Sequence, residues 1–186
     1  GMFGPGVFGH APEPGRARRQ RNAMPAAITR HISITLARAY GGGTVPVAIK
    51  RSILAGRLKQ QEEETLYVDI PPGVDHNEII RLKGKGDQHG PHRGDVKIFV
   101  QVANDTAFKR DGLDLIYTKP CSLKEALAGP DFVLAGHPSG KSFRVRGAGS
   151  VASPGQRKVV RGMGMKRGGK TGDLVIEYDI AFPTSL

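Results

Sequence analysis

The feature that most constrains this chain is a stretch it contains twice. Leu82 to Val102 reads LKGKGDQHGPHRGDVKIFVQV and Val160 to Ile180 reads VRGMGMKRGGKTGDLVIEYDI. Gly84, Gly86, Gly94 and Asp95 of the first copy therefore recur without a gap as Gly162, Gly164, Gly172 and Asp173. After each Gly-Asp pair the apolar residues fall on every second position: Val96, Ile98, Val100 and Val102, then Leu174, Ile176, Tyr178 and Ile180. That is the period of a strand with one face buried. The glycines two apart and the basic loop before it supply the backbone freedom of a hairpin. Each copy predicts a β-loop-β unit. The pair predicts an all-β chain of two tandem sandwich-like domains related by duplication, each with one short helix.

A chain of 186 residues with 26 glycines and no tryptophan suits many short strands and turns better than a helical bundle. The net charge of +11 favours an acidic partner, whether nucleic acid, an anionic membrane or an acidic peptide, without choosing among them. Cys121 is the only cysteine, which excludes an intrachain disulfide and a cysteine-based zinc site and points to a reducing, cytoplasmic setting. No run approaches the roughly 20 apolar residues of a membrane span. The first residues also lack the apolar core of a signal peptide.

Residues 1–25 carry glycine, proline, Phe3, Phe8 and four arginines without alternation, and are expected to be a mobile linker. A first domain is expected over 26–105 and a second over 106–186. In the first, Ile32, Ile34 and Leu36 alternate with polar residues, and Leu36 to Tyr40 reads as a short helix stopped by Gly41-Gly42-Gly43. Val45, Val47 and Ile49 make one face of a second strand, with Ala48 and Lys50 on the other. Gly56 to Glu64 is polar and reads as a hairpin loop; Leu66, Val68 and Ile70 form a third strand ended by Pro71-Pro72-Gly73. In the second domain Leu113, Leu115 and Tyr117 alternate. Ser122 and Glu125 form a capping box for a helix from Leu123 to Ala128. Phe132 to Leu134 and Phe143 to Val145 read as strands around a turn at His137 to Gly140. From Phe132 to Gly172 there is no acidic residue and there are nine Lys or Arg, so one side of this domain should be strongly positive.

In order and spacing these segments resemble the C-terminal substrate-binding region of DnaJ-type co-chaperones, the J-domain proteins. The resemblance is carried by Leu36-Ala-Arg-Ala-Tyr-Gly41, Val68-Asp-Ile-Pro-Pro-Gly-Val74, Ile80-Arg-Leu-Lys-Gly-Lys-Gly86, Phe108-Lys-Arg-Asp-Gly-Leu-Asp-Leu115, Ser122-Leu-Lys-Glu-Ala-Leu-Ala-Gly129, Gly172-Asp-Leu174 and Phe182-Pro183. It implies a shallow apolar groove on the first domain that holds unfolded client polypeptides. The groove positions it implies are Ile32, Ile34, Val47, Ile49 and Phe108. It further implies that basic residues beside the groove hold the acidic C-terminal tail of a DnaK-type ATPase chaperone. Val45 and Ala48 stand where the family often has lysines, which leaves Lys50 and Arg51 for that role. With one cysteine, the resemblance is to the zinc-free subclass. It implies a fragment that lacks the helical J domain and the C-terminal segment through which the full-length protein homodimerises, one that holds clients and does not stimulate ATP hydrolysis.

Two other readings compete. Gly164 to Thr171 matches a phosphate-binding loop letter for letter, and Ala135 to Ser142 matches its relaxed form. Such a loop needs a helix immediately after it to aim amides at the phosphates. Here period-two strands are predicted instead. Nucleic-acid binding is the stronger rival, because the nine basic residues between Lys141 and Lys170 would neutralise phosphates, although Phe143 is the only aromatic there to stack on bases. His89 and His92, with Asp87, read as solvated rather than metal-binding, and Cys121 as a packed thiol. No metal, cofactor or catalytic constellation is expected.

Overall fold

The computed structural model describes residues 24–147 and 152–182. Most of these are in strands, and the two helices have six residues each. Nearly all of the predicted linker, residues 1–23, lies outside the described residues, as does Pro183 of the closing motif.

The first strand, β1 (Ile28–Thr35), runs into helix α1 (Leu36–Gly41), with the Thr35 hydroxyl accepting from the Arg38 amide at 3.2 Å. Strands β2 (Gly43–Ala55) and β3 (Leu58–Ile70) follow, then β4 (Glu78–Leu82), the short β5 (Gln88–His89) and β6 (His92–Arg93), and β7 (Val96–Ala103). After β8 (Phe108–Asp111) and β9 (Asp114–Ser122) comes helix α2 (Leu123–Ala128), capped by the Ser122 hydroxyl on the Glu125 amide at 3.1 Å. Then β10 (Phe132–Leu134), β11 (Phe143–Val145), β12 (Arg157–Val160), β13 (Lys166–Arg167), β14 (Lys170–Thr171) and β15 (Leu174–Ala181) complete the chain. A six-residue helix has too few internal hydrogen bonds to stand alone. Both are held by buried side chains instead, Leu36 and Ala39 in α1 and Ala126 in α2.

The duplication extends from letters to geometry. One sheet has the order β1-β7-β4 and another β12-β15-β9-β8, so β7 and β15, which follow the two glycine-aspartate pairs, each lie between the strand that leads into their loop and the strand that leads into a helix. The same hydrogen bonds recur at the same lengths. The Gly84 amide donates to Asp95 Oδ1 at 2.9 Å and the Gly162 amide to Asp173 Oδ1 at 2.9 Å. Gly86 donates to the Gly94 carbonyl, and Gly164 to that of Gly172, again at 2.9 Å. Gly164 has to be glycine, since a Cβ there would lie 2.5 Å from the Leu113 carbonyl oxygen. The copies differ at their tips. The β5–β6 hairpin is annexed by β2, with Ile53 opposite Gln88, while β13–β14 pairs only with itself.

By compactness the chain divides into two units. Of the described residues, one comprises those up to Arg30, Ala48–Glu64 and Arg81–Lys97; the other comprises His31–Val47, Thr65–Ile80 and those from Ile98 onward. The first is tied by ionic side chains. Asp87 Oδ1 accepts from the Ser52 amide at 2.7 Å, and Arg81 Nε donates to Asp95 at 2.6 Å. The second holds most of the core, with Leu36, Val68, Ile98, Leu115, Leu174 and Ile176 almost fully sealed. Within it Arg110, its side chain 9% exposed, donates to the carbonyls of Gly73 at 2.6 Å, Gly112 at 2.8 Å and Val74. A planar fork with several fixed donors suits a loop whose carbonyls have no strand partner.

One expectation fails outright. Residues 58–64 are not a loop: the turn is confined to Gly56 and Arg57, and β3 begins at Leu58. The run has no apolar alternation because both its faces are exposed, and facing charges take the place of burial. Lys50 meets Glu63 at 3.3 Å, and Arg51 meets Glu62 at 3.2 Å. The segment is also the edge of the sheet β3-β2-β5-β6, where charged side chains discourage pairing with another chain.

Candidate client-binding surface

Strand alternation positions the candidate groove residues. On β1, Ile32 and Ile34 share the inward face; on β2, Val47 and Ile49 do the same; Phe108 opens β8. The groove reading expects these side chains to be open to water. Ile32 is half-buried, but Ile34, Val47, Ile49 and Phe108 are only 6%, 7%, 2% and 1% exposed. The physical reason is that period two identifies a strand's apolar face and says nothing about whether another layer covers it. The five residues also lie on three different sheets, those containing β1, β2 and β8.

Phe108 sits in a ring cluster that sequence reading missed. Its ring centroid is 5.3 Å from that of Tyr117 and 5.8 Å from that of His137, which meets Tyr40 at 5.7 Å and Phe143 at 5.9 Å, edge to face. His137 is 3% exposed and fully satisfied. Its Nδ1 accepts from the Ser139 amide at 3.1 Å, so Nε2 carries the proton and donates to the Met163 carbonyl at 2.7 Å. A histidine in a Pro-Ser-Gly turn reads as a surface residue. Only the tertiary contacts show it to be core.

The apolar side chains that water does reach include Tyr67 (71%) on β3, Ile79 (54%) on β4 and Leu58 (67%) beside the hairpin turn. Leu127, Val133, Val159 and Phe182 are exposed on the later part of the chain. All but Phe182, which follows β15, occupy outward positions of regular elements or a helix, so the period that found the buried faces passed over them.

The basic candidates are engaged. Arg51, its side chain 12% exposed, donates through Nη1 to Glu62 at 3.2 Å, through Nη2 to Glu64, and through Nε to the Lys85 carbonyl at 3.2 Å. Its hydrogen bond holds the Glu64 carboxyl below the usual range, against a smaller opposing effect of desolvation. Lys50 is exposed and lies 3.3 Å from Glu63.

The positive side of the later part is partly neutralised from outside the acid-free run. Arg144 pairs with Asp131 at 2.9 Å, Arg157 with Glu177 at 2.8 Å, and Arg167 with Glu78 in a two-pronged contact whose longer arm is 2.9 Å. The phosphate-loop match dissolves: Lys170 and Thr171 form β14, a strand rather than a helix follows, and the Gly164 and Gly172 amides are spent on the hairpin's own carbonyls. The relaxed match runs into β11 in the same way. His89 and His92 face each other across the β5–β6 pair, and among the described residues no three His, Cys, Asp or Glu converge as a metal site would need. Cys121 is buried, and desolvation first, with Glu125 second, pushes its thiol up, away from the nucleophilic form.

Duplicated β-units, each with a short capped helix and a glycine hairpin, define a β-rich scaffold built by internal repetition. The DnaJ C terminal domain family model matches residues 28–183, and the chain belongs to that family. It is 40% identical over 130 residues to the mitochondrial protein import protein MAS5 of Saccharomyces cerevisiae, covering 67% of this chain and 31% of the relative. Chaperone protein DnaJ of Dinoroseobacter shibae is 37% identical over 142 residues (74% and 37%), and that of Rhodobacter capsulatus 35% over 134 residues (71% and 34%). The chain thus spans about a third of the length of these curated relatives.

Proposed function

We propose that the chain is a non-enzymatic client-binding region, holding unfolded polypeptides for a DnaK-type ATPase chaperone in the cytoplasm. The observation that carries this reading is the family match over 28–183, which takes in both copies of the repeat. In this proposal the domains divide near residue 105, and Ile32, Ile34, Val47, Ile49 and Phe108 belong to the client-binding part. Half-buried Ile32 is the one of the five that makes contact, and Ile34, Val47, Ile49 and Phe108 serve as core side chains. An apolar contact of this kind is weak and carries little sequence rule. The parent protein acts as a homodimer. No described helix is long and apolar enough to cross a membrane, which is compatible with this setting.

The test is binding to a reduced, permanently unfolded model protein across a salt series. Affinity that persists at high salt and falls in Ile32→Ser supports apolar binding. Affinity that collapses with salt and is competed by RNA rather than by an apolar peptide would overturn it in favour of the nucleic-acid reading.

A further inference from the structure

The two copies of the glycine hairpin are put to different uses. The first, β5–β6, is taken up by β2, while the second, β13–β14, has no strand partner but itself among the described residues. It lies instead against the connection between β3 and β4. A Cβ on Gly73 would collide with the Lys166 carbonyl oxygen and come within 2.7 Å of the Arg167 Cβ, so the two backbones touch directly. Arg167 then reaches Glu78, 89 residues away in sequence, and grips its carboxylate with both Nη atoms, Nη2 donating to Oε2 at 2.9 Å. Glu78 is itself held, since its Oε1 accepts from the Asp75 amide at 3.1 Å. All of these residues belong to the second compact unit.

Arg110 makes the other contact with the same connection, donating from a nearly sealed position to the carbonyls of Gly73 at 2.6 Å and of Val74. One buried contact is a pivot; a second, displaced from it, fixes the angle about that pivot. We propose that Arg167 is a positioning residue: by bracing Glu78 it fixes the angle at which the β3–β4 connection meets the second repeat copy, and so sets the spacing between the exposed apolar side chains on either side. These are Tyr67 and Ile79, flanking the connection, and Leu127, Val133 and Val159 on the later part of the chain. A long unfolded polypeptide that touches both groups gains the effective concentration of a linked ligand only while the spacing matches, whereas a short peptide that reaches one group gains nothing from it. A two-pronged arginine–carboxylate pair suits this task because it fixes orientation as well as distance. Its side chains are 43% and 28% exposed, so its removal loosens the joint without unfolding either side. The inference deepens the client-binding reading and rests on it for the class of ligand.

The test places spin labels at Thr65→Cys and Lys124→Cys, both exposed positions, in a Cys121→Ser background, and reads the distance between them by pulsed electron paramagnetic resonance. The parent chain is expected to give one narrow distance distribution. Glu78→Gln, which can still accept from the Asp75 amide but loses the carboxylate charge, and Arg167→Gln should each broaden it, and the double variant should be no broader than either single one because both remove the same contact. Glu177→Gln removes the Arg157 pair, a surface contact inside one sheet, and should leave the width unchanged. No broadening in the Glu78 and Arg167 variants, or equal broadening in the control, overturns the inference. On the same variants a long, permanently unfolded protein should bind about fivefold more weakly and a short apolar peptide equally well. An equal loss for both ligands overturns the positioning role. If neither ligand binds the parent chain, the client reading alone fails and the distance result stands.

Discussion

Replacing Phe108 with alanine asks whether a residue assigned to client contact is first of all a member of the core. The side chain is 1% exposed, so its removal forfeits the transfer free energy of a whole ring and leaves a hole lined by Tyr117 and His137. Substitutions of this type cost about 3–5 kcal/mol, and losing the two ring contacts places this one in the upper half of that range. For a chain of this size about 4 kcal/mol corresponds to a fall in Tm of roughly 8–16 °C. Phe108→Leu keeps the site apolar and most of its volume, and should cost no more than about half as much. Urea unfolding followed by tyrosine fluorescence measures all three proteins, and client affinity is then read well below each transition. The expected result is a large loss of stability with affinity per folded molecule nearly unchanged. For Ile32→Ser the order should invert, with affinity falling more than stability. A Phe108→Ala protein within about 0.5 kcal/mol of the parent would refute the packing argument, since no sealed ring can be removed so cheaply.

The two remaining predictions concern the repeat. Asp95 is held below the usual carboxyl range, first by the Gly84 amide and then by Arg81, and Glu78 is held low by Arg167. A depressed folded value stabilises wherever the unfolded carboxyl is ionised, so the contribution is complete above about pH 5 and is lost as pH falls through the depressed values. Urea midpoints should be level from neutrality to about pH 5 and fall below it, with a shallower fall in Asp95→Asn; an unchanged slope would show that this carboxyl is not a contributor. Gly164→Ala drives a Cβ to 2.5 Å from the Leu113 carbonyl and should cost about 3 kcal/mol, whereas Gly168→Ala, at φ 55° in open space, should cost about 1 kcal/mol. Comparable thermal shifts in the two would contradict the close backbone approach.

What could be read without coordinates is what neighbouring residues encode. The duplication, the alternating faces of β7 and β15, and both helices, the second with its capping residue Ser122, follow from short-range spacing, because strand period and capping bonds involve residues at most a few positions apart. The β2–β3 hairpin was half legible. Its apolar end alternates, but its charged end is strand only because Lys50 and Arg51 lie opposite the glutamates, a pairing across the turn that no periodicity reports. The family's groove residues were legible as inward-facing and illegible as covered. Whether Ile34 or Phe108 meets water depends on residues brought to them from far along the chain. His137, a turn residue by its neighbours, is a core residue because Tyr40, Phe108 and Phe143 close around it and Met163 supplies the carbonyl its ring needs. Local hydrogen bonding and alternation decide which element forms; burial and charge pairing are decided by what distant segments place against it, and that is where the tertiary structure alone had the say.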